Sequence, residues 1–164
     1  MNKEQEMAIC LWYDDEAESA AKFYLSIFKN SEMGFISRYG KEGFEFHKKP
    51  EGTVMFVTFR INGMNITGLN GGPQFSFNEA SSIVVYCETQ EEIDYYWAKL
   101  TEEGEEGPCG WLKDKFGVSW QIVPSTLPKM MADPDMAKSQ RVANAYLQMK
   151  KYDIAKLEKA FNGE

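Results

Sequence analysis

Two stretches of the chain show the same change of hydrophobic pattern, from a short apolar run to a stripe with helical spacing. The run Ala8–Tyr13 predicts a strand, and after it the apolar residues recur every three or four positions, at Ala17, Ala20, Ala21, Tyr24, Ile27 and Phe28. The run Ile83–Tyr86 is followed in the same way by Ile93, Tyr96, Trp97 and Leu100. Spacings of three and four place residues on one side of an α-helix. The two helical stripes match at an offset of about 73 residues, which indicates an internal duplication.

Local signals predict where the helices begin. Asp15 and Thr89 are the expected N-caps of the two repeated helices, and each is followed three residues later by a glutamate. Beyond the duplicated part, Asp133 and Pro134 predict the start of a further helix. Asp153 predicts the start of another.

The rest of each half predicts three more strands. They are expected at Glu32–Tyr39, Val54–Arg60 and Met64–Leu69 in the first half, and at Glu105–Gly110, Gly110–Lys113 and Val118–Val123 in the second. Asn62-Gly63 is a strong hairpin signal. The polar insertion Gly40–Gly52 is expected to be a loop, and Gly71-Gly72-Pro73 is expected to be a stiff connection between the halves.

These elements predict an α+β fold made of two tandem βαβββ modules. The modules span about residues 8–70 and 80–124 and are expected to form a curved mixed sheet around a cleft. Together they make one domain over residues 1–128, and residues 129–164 are expected to form a C-terminal helical extension.

Composition and charge exclude several classes of protein. The chain has 164 residues, of which 43% are hydrophobic and 26% charged, and its formal net charge is -7. It contains no long basic run, so nucleic acid is not an expected partner. No apolar run is long enough to span a membrane and no signal-peptide pattern is present, so a cytoplasmic location is expected. The cysteines, Cys10, Cys87 and Cys109, are odd in number and scattered, which favours reduced thiols over disulfides or a zinc knuckle.

Four stretches of the sequence resemble a known family. The stretches CLWYDDEAESAAKFY, LNGGPQFSFNEA, CETQEEIDYYWAKL and CGWLKDKFGVSWQIVP, together with paired βαβββ modules, resemble the PhnB-like branch of the vicinal oxygen chelate superfamily. That superfamily includes glyoxalase I, bleomycin-resistance proteins and extradiol dioxygenases. The branch is often labelled a 3-demethylubiquinone 3-methyltransferase domain. Methyl transfer is nevertheless not expected, because the turn after the first strand, YDDEAES, lacks the glycines of a methyl-donor site.

The resemblance also implies positions for a metal. Metal-dependent members of the superfamily place four ligands on inward-facing positions of the first and last strands of each module. Those positions match Ser82 and Gln121 in the second module, and the internal repeat gives Ile9 and Thr67 in the first. One amide, two hydroxyls and an alkyl chain are poor ligands for a divalent transition metal. The expectation is therefore a protein without metal or other cofactor.

The same face supplies the expected ligand pocket. Its residues are Ile9, Thr67, Ser82, Tyr86, Trp111, Lys113 and Gln121. An aromatic wall beside the Lys113 ammonium would suit a planar or an anionic ligand. Cys10, Trp12 and Trp120 are expected on the opposite, helix-facing side. The only histidine, His47, is either a solvated residue of the insertion or a general base that reaches the cleft.

Three functions remain open at this point. The leading hypothesis is a metal-free protein that binds an unidentified small molecule. The alternatives are a metal-dependent lyase, isomerase or dioxygenase, and a module that serves in protein association. A homodimer is expected, because the apolar residues Met136, Ala143, Tyr146 and Leu147 have no place in the two modules and need burial.

Overall fold

The computed structural model describes residues 7–164, which form two compact units that meet in sequence between Ser76 and Phe77. The first unit contains β1 (Ile9–Tyr13), α1 (Ala17–Ile27), β2 (Ser31–Arg38), α2 (Phe44–His47), β3 (Val54–Ile61) and β4 (Met64–Asn70). The second contains β5 (Ile83–Cys87), α3 (Gln90–Thr101), β6 (Glu105–Glu106), β7 (Trp111–Lys113), β8 (Ser119–Pro124), α4 (Leu127–Met131), α5 (Met136–Tyr146) and α6 (Ile154–Asn162).

Each unit is built around a four-stranded mixed sheet, and the two sheets have the same topology. The strand order is β1-β4-β3-β2 in the first unit and β5-β8-β7-β6 in the second. The first and last strands of each module pair in parallel, whereas the other neighbours are antiparallel. The predicted α+β fold with two βαβββ modules is confirmed. The insertion of the first module, expected to be a loop, contains the single-turn helix α2.

One face of each sheet is covered by the module's own helix. The predicted stripes are the buried sides of these helices: Ala20, Ala21, Tyr24 and Ile27 in α1, and Ile93, Trp97 and Leu100 in α3. In the second module they meet Ile83, Val85, Trp120 and Ile122 from the sheet. The period of the apolar residues therefore identified the core side of both helices.

The N-caps expected at Thr89 and Asp153 are present. The Thr89 hydroxyl accepts a hydrogen bond from the Glu92 backbone N–H at 3.3 Å, and the Asp153 carboxylate accepts one from the Lys156 N–H at 3.0 Å. The helix that was predicted to start at Asp133 is α5, and it starts two residues later than expected. Its N-cap is Asp135, because that carboxylate accepts from the first turn of α5.

The start of α1 differs from the prediction. Asp15 does not cap this helix. Instead, the Asn70 side chain at the end of β4 accepts a hydrogen bond from the Ala17 N–H at 2.8 Å, and its own amide donates to the Val54 carbonyl at 3.0 Å. A residue more than fifty positions away therefore supplies the cap, and no local signal could reveal it.

The C-terminal helices pack within the second unit. Val142, Tyr152 and Leu157 are buried. The Arg141 guanidinium donates hydrogen bonds to the Ala160 and Phe161 carbonyls, each at 2.9 Å. It thereby pairs two of the carbonyl groups at the C-terminal end of α6 that have no partner within the helix. Much of the apolar surface of this extension is therefore covered by its own chain.

Four apolar residues of α5 and its end were expected to need a partner subunit. Ala143 and Tyr146 are half-buried within the unit, whereas Met136 is 71% exposed and Leu147 62% exposed. Of the four residues, only Met136 and Leu147 therefore leave large apolar surfaces that a partner subunit could cover. None of the helices in the described part of the chain combines the length and apolar character that crossing a membrane requires.

Candidate functional site

The sheet of the second module leaves the face opposite α3 open. Ser82, just before β5, and Val84 and Tyr86 within it alternate with the buried residues Ile83, Val85 and Cys87. Strand pairing adds Gln121 from β8 and Trp111 and Lys113 from β7 to the same face. Tyr86 is 61% exposed. The structure thus brings the five residues that were predicted for this module onto one surface.

A pocket of about 370 Å³ lies at the β6–β7 edge of this open face. Trp111, Pro108 and Leu112 give it apolar walls, and its charged residues are Glu79, Glu105, Glu106 and Lys113. Ligand pockets in proteins fall in roughly the 300–1,000 Å³ range. The volume of this pocket lies within that range, and its walls combine an aromatic ring with a few charged groups.

The ammonium of Lys113 is already paired within the pocket. Its Nζ lies 2.5 Å from Oε1 of Glu79. This hydrogen bond raises the pKa of Lys113, with a further contribution from the charge of Glu105, and it lowers the pKa of Glu79. Lys113 is therefore cationic at neutral pH, but Glu79 offsets its charge.

Hydrogen bonds fix three further side chains of the site. Glu106 accepts from Trp97 Nε1 at 2.8 Å, and its other oxygen lies 3.7 Å from the Lys150 Nζ. On the open face, the Gln121 amide donates to the Ser82 hydroxyl at 2.9 Å. Ser82 and Gln121 therefore form a preorganised polar pair that links the two parallel strands.

In the first module, β1 presents the face opposite to the one predicted for it. Ile9 lies beside Ile66 and on the same side as the buried residues Leu11 and Tyr13, which face α1. The predicted inward orientation of Ile9 is wrong. Cys10 and Trp12, expected on the helix side, lie instead on the open face, where Cys10 is exposed beside Thr67.

The error comes from one extra residue in the β1–α1 connection. Three residues separate β1 from α1, whereas two separate β5 from α3. The helices repeat at an offset of about 73 residues, but the strands repeat at one more, so Cys10 corresponds to Val84. The counterpart of Ser82 is then Ala8 rather than Ile9. A slip of one residue exchanges the two faces of a strand.

Trp12 has a structural role on the first module's open face. Its Nε1 donates to the Gly72 carbonyl at 2.8 Å, and its ring contacts that of Phe75 edge-on at 5.0 Å. A Cβ atom on Gly71 would lie 2.1 Å from the Trp12 ring. Glycine is therefore required at Gly71 by this close approach, and the segment after β4 is held against its own module.

His47 is held inside the insertion. Its ring lies 4.5 Å from that of Tyr39, and its Nδ1 accepts a hydrogen bond from the Lys49 N–H at 2.9 Å. Nε2 therefore carries the proton in the neutral ring and donates to the Glu42 carbonyl at 3.2 Å. Both ring nitrogens are thus hydrogen-bonded within the insertion.

The residues at the metal-ligand positions do not fit a divalent metal. With the corrected register these positions hold Ala8, Thr67, Ser82 and Gln121, a methyl group, two hydroxyls and an amide. Transition metals in proteins require imidazole, thiolate or carboxylate ligands. Within residues 7–164, no three His, Cys, Asp or Glu side chains are grouped so as to hold a metal ion.

Sequence reasoning missed the acidic residues of the pocket. Glu105 lies opposite Lys113 in the β6–β7 pairing, and the sequence had already assigned the two residues to consecutive strands, so this neighbour could have been found. Glu79 lies before β5 in a segment without regular structure, and no periodic signal connects it to Lys113. The neighbouring Asn78 carbonyl accepts a hydrogen bond from the Ser119 hydroxyl at 3.3 Å, which joins this segment to β8.

Comparison with known proteins identifies relatives of this chain. A family model described as 3-demethylubiquinone-9 3-methyltransferase matches residues 5–123. One similar solved structure is described as a putative 3-demethylubiquinone-9 3-methyltransferase, PhnB protein, from Bacillus cereus. Its sequence is 37% identical to this one, the alignment covers 74% of this chain and 100% of that chain, and the TM-score is 0.63. No curated protein is similar enough to count as a match.

More distant structures share only the fold. A protein from Pseudomonas aeruginosa is 14% identical, with 74% of this chain and 98% of its own covered and a TM-score of 0.60. The fosfomycin resistance protein FosX from Mesorhizobium loti is 12% identical, with 80% and 99% covered and a TM-score of 0.55. At these identities the likeness concerns the two-module architecture and not the chemistry of the site.

Proposed function

This chain belongs to the 3-demethylubiquinone-9 3-methyltransferase family, a PhnB-like branch of the vicinal oxygen chelate superfamily, and from that premise we propose that it binds a small organic molecule without a metal. The observation that carries the proposal is the pocket of about 370 Å³ beside Trp111 on the open face of the second module. An aromatic wall supplies most of the contact area for a ligand, and a few charged groups orient it.

The donor set supports the metal-free part of the proposal. A related fold is found in FosX from Listeria monocytogenes, whose structure contains Mn(II), and metal dependence is therefore the natural alternative for this architecture. In this chain, however, Ala8, Thr67, Ser82 and Gln121 provide no anionic or imidazole ligand. Protein purified without chelator should contain well under one transition-metal ion per chain by elemental analysis. Near one ion per chain, lost in Gln121→Ala, would overturn the metal-free proposal and favour the alternative of a metal-dependent lyase, isomerase or dioxygenase.

Methyl transfer is not part of the proposal, although the family description names it. The connection from β1 to α1 consists of Asp14, Asp15 and Glu16, three acidic residues without a glycine. A methyl-donor site of the usual kind needs glycines that let backbone N–H groups approach the cofactor.

The binding proposal is tested with a library of small aromatic compounds, by the rise in melting temperature and by two-dimensional NMR. A ligand that binds only the folded state raises its stability according to concentration and affinity. Trp111→Ala should abolish the rise for compounds that shift the Trp111 indole signal. Tyr95→Ala, which removes an exposed ring on α3, is the matched control and should leave the rise unchanged. A rise that survives Trp111→Ala would place the ligand elsewhere.

We also propose that the chain forms a homodimer. The exposed apolar residues Val84 and Tyr86 on the open face of the second module, and Met136 and Leu147 on α5 and at its end, support this proposal. Light scattering at micromolar concentration should give twice the mass of the chain. A dimer that persists without residues 133–164 would assign the interface to the modules alone, and a monomer at that concentration would contradict the proposal.

A further inference from the structure

The charged residues of the pocket beside Trp111 favour a positively charged ligand. Three carboxylates, from Glu79, Glu105 and Glu106, line it together with one ammonium, from Lys113. The chain as a whole carries a formal net charge of -7. A cleft lined by one sign of charge concentrates ligands of the opposite sign.

The single ammonium is not available to an incoming anion. Its Nζ lies 2.5 Å from a Glu79 oxygen, so an anion would have to displace that carboxylate before it could pair with Lys113. The displaced carboxylate would then remain beside the anion. Glu105 lies directly opposite Lys113 in the β6–β7 ladder and would repel the anion as well.

Glu105 is the carboxylate that is left open to a cation. In the part of the chain that the structure describes, its side chain forms no hydrogen bond or ion pair. Glu79 is bound to Lys113, and Glu106 is bound to Trp97 and lies near Lys150. Glu105 is exposed and lies on the same face of the sheet as Trp111. Glu105 is the strand neighbour of Lys113, and Lys113 and Trp111 are two positions apart in β7 and so face the same way. A carboxylate and an indole ring thus line the same pocket, and this combination binds organic cations through charge and cation–π attraction.

We propose that the ligand of this pocket is an organic cation with a flat apolar body. The inference rests on the proposed function, since it names the class of molecule bound at the same site. The flat body contacts Trp111, and the cationic group is oriented by Glu105. The Glu79–Lys113 pair closes one side of the pocket and stays intact on binding.

Three flat bicyclic aromatic probes of similar size but different charge test this proposal: 1-methylquinolinium, 1-methylnaphthalene and 1-naphthoate. Binding is followed by the NMR shift of the Trp111 indole N–H, which is assigned by its loss in Trp111→Phe. The cation should bind about tenfold more tightly than the neutral compound at low ionic strength, and 1-naphthoate most weakly. The advantage of the cation should fall several-fold when the salt is raised to about 0.3 M, because exposed charges are then screened.

Variants separate the contribution of each charge. Glu105→Gln should remove most of the advantage of the cation while the affinity for 1-methylnaphthalene stays the same. Glu158→Gln, which removes an exposed charge on α6 outside the pocket lining, is the matched control and should behave as the parent protein. Lys113→Met frees Glu79 and should strengthen binding of the cation. The same spectra show whether each variant remains folded.

The possible results distinguish this inference from the proposed function. Equal affinities of all three probes would overturn the charge preference but leave ligand binding at Trp111 standing. Tightest binding of 1-naphthoate, lost in Lys113→Met, would overturn the inference in favour of an anionic ligand. No shift of the Trp111 signal with any probe would count against both the inference and the pocket.

Discussion

Replacement of Trp120 tests the assignment of the two faces of the second sheet. Trp120 lies within β8, is 0% exposed, and pairs with Ile83 and Leu112 on the side covered by α3. Its Nε1 donates to Oδ2 of the buried Asp114 at 2.8 Å. The other carboxylate oxygen accepts the backbone N–H groups of the β7–β8 turn. The side chain therefore fills the core and also anchors this turn.

The expected cost has two parts. Truncation of a buried tryptophan to alanine costs about 3–5 kcal/mol through lost apolar contacts and the cavity left behind. Loss of a hydrogen bond to a charged group costs about 1.5–3 kcal/mol. The two overlap, since a cavity admits relaxation and water, so Trp120→Ala should lower the free energy of unfolding by about 4–6 kcal/mol. Trp120→Phe keeps an apolar ring but removes the donor to Asp114, and should cost about 1–3 kcal/mol.

The assay must report on the second unit, because two compact units can unfold at different denaturant concentrations. The indole N–H signal of Trp97, which donates to Glu106 within that unit, serves this purpose during urea unfolding. Ser82→Trp is the comparison on the open face, where only the hydrogen bond with Gln121 is lost, and it should cost no more than about 1.5 kcal/mol. If Ser82→Trp unfolds the unit while Trp120→Ala costs less than about 1 kcal/mol, the two faces have been exchanged.

Three further outcomes follow from named contacts. Asn70→Ala should lower the free energy of unfolding of the first unit by about 1–2 kcal/mol, because the start of α1 loses its cap. If Asn70→Asp has the full stability of the parent protein, the hydrogen bond that the Asn70 amide donates to the Val54 carbonyl contributes nothing to stability. In an NMR pH titration, the pKa of Glu79 should lie below its ordinary value of 4.5, and it should return towards that value in Lys113→Met. Because this pKa is lowered in the folded state, the stabilisation that Glu79 provides is present above pH 4.5 and is lost as the pH falls through the lowered pKa. Burial, with the nearby charges of Glu92 and Glu88, raises the pKa of Cys87 to about 12. A thiol reagent at pH 8 should therefore modify the exposed Cys10 and leave Cys87 unmodified until the protein is denatured, and fast modification of Cys87 in the native protein would contradict its placement in the core.

The repeated βαβββ order, the core side of both helices and the caps at Thr89 and Asp153 were all determined by the sequence alone. The same holds for the hairpin at Asn62-Gly63, where both residues have positive φ. The physical reason is that these signals are local. A helix repeats every 3.6 residues, a cap contacts the backbone two or three residues away, and a two-residue turn needs its own backbone angles.

The tertiary structure decided what depends on distant parts of the chain. The run CLWY in β1 is apolar on both faces, so its pattern could not show which side meets α1. Pairing with β4, together with the extra residue before the helix, turned Ile9 to the helix side and Cys10 to the open face. Likewise, the Lys113 ammonium suggested an anionic ligand until Glu79 was found beside it. A face or a charge acquires its meaning from the neighbour it packs against, and folding brings that neighbour from tens of residues away.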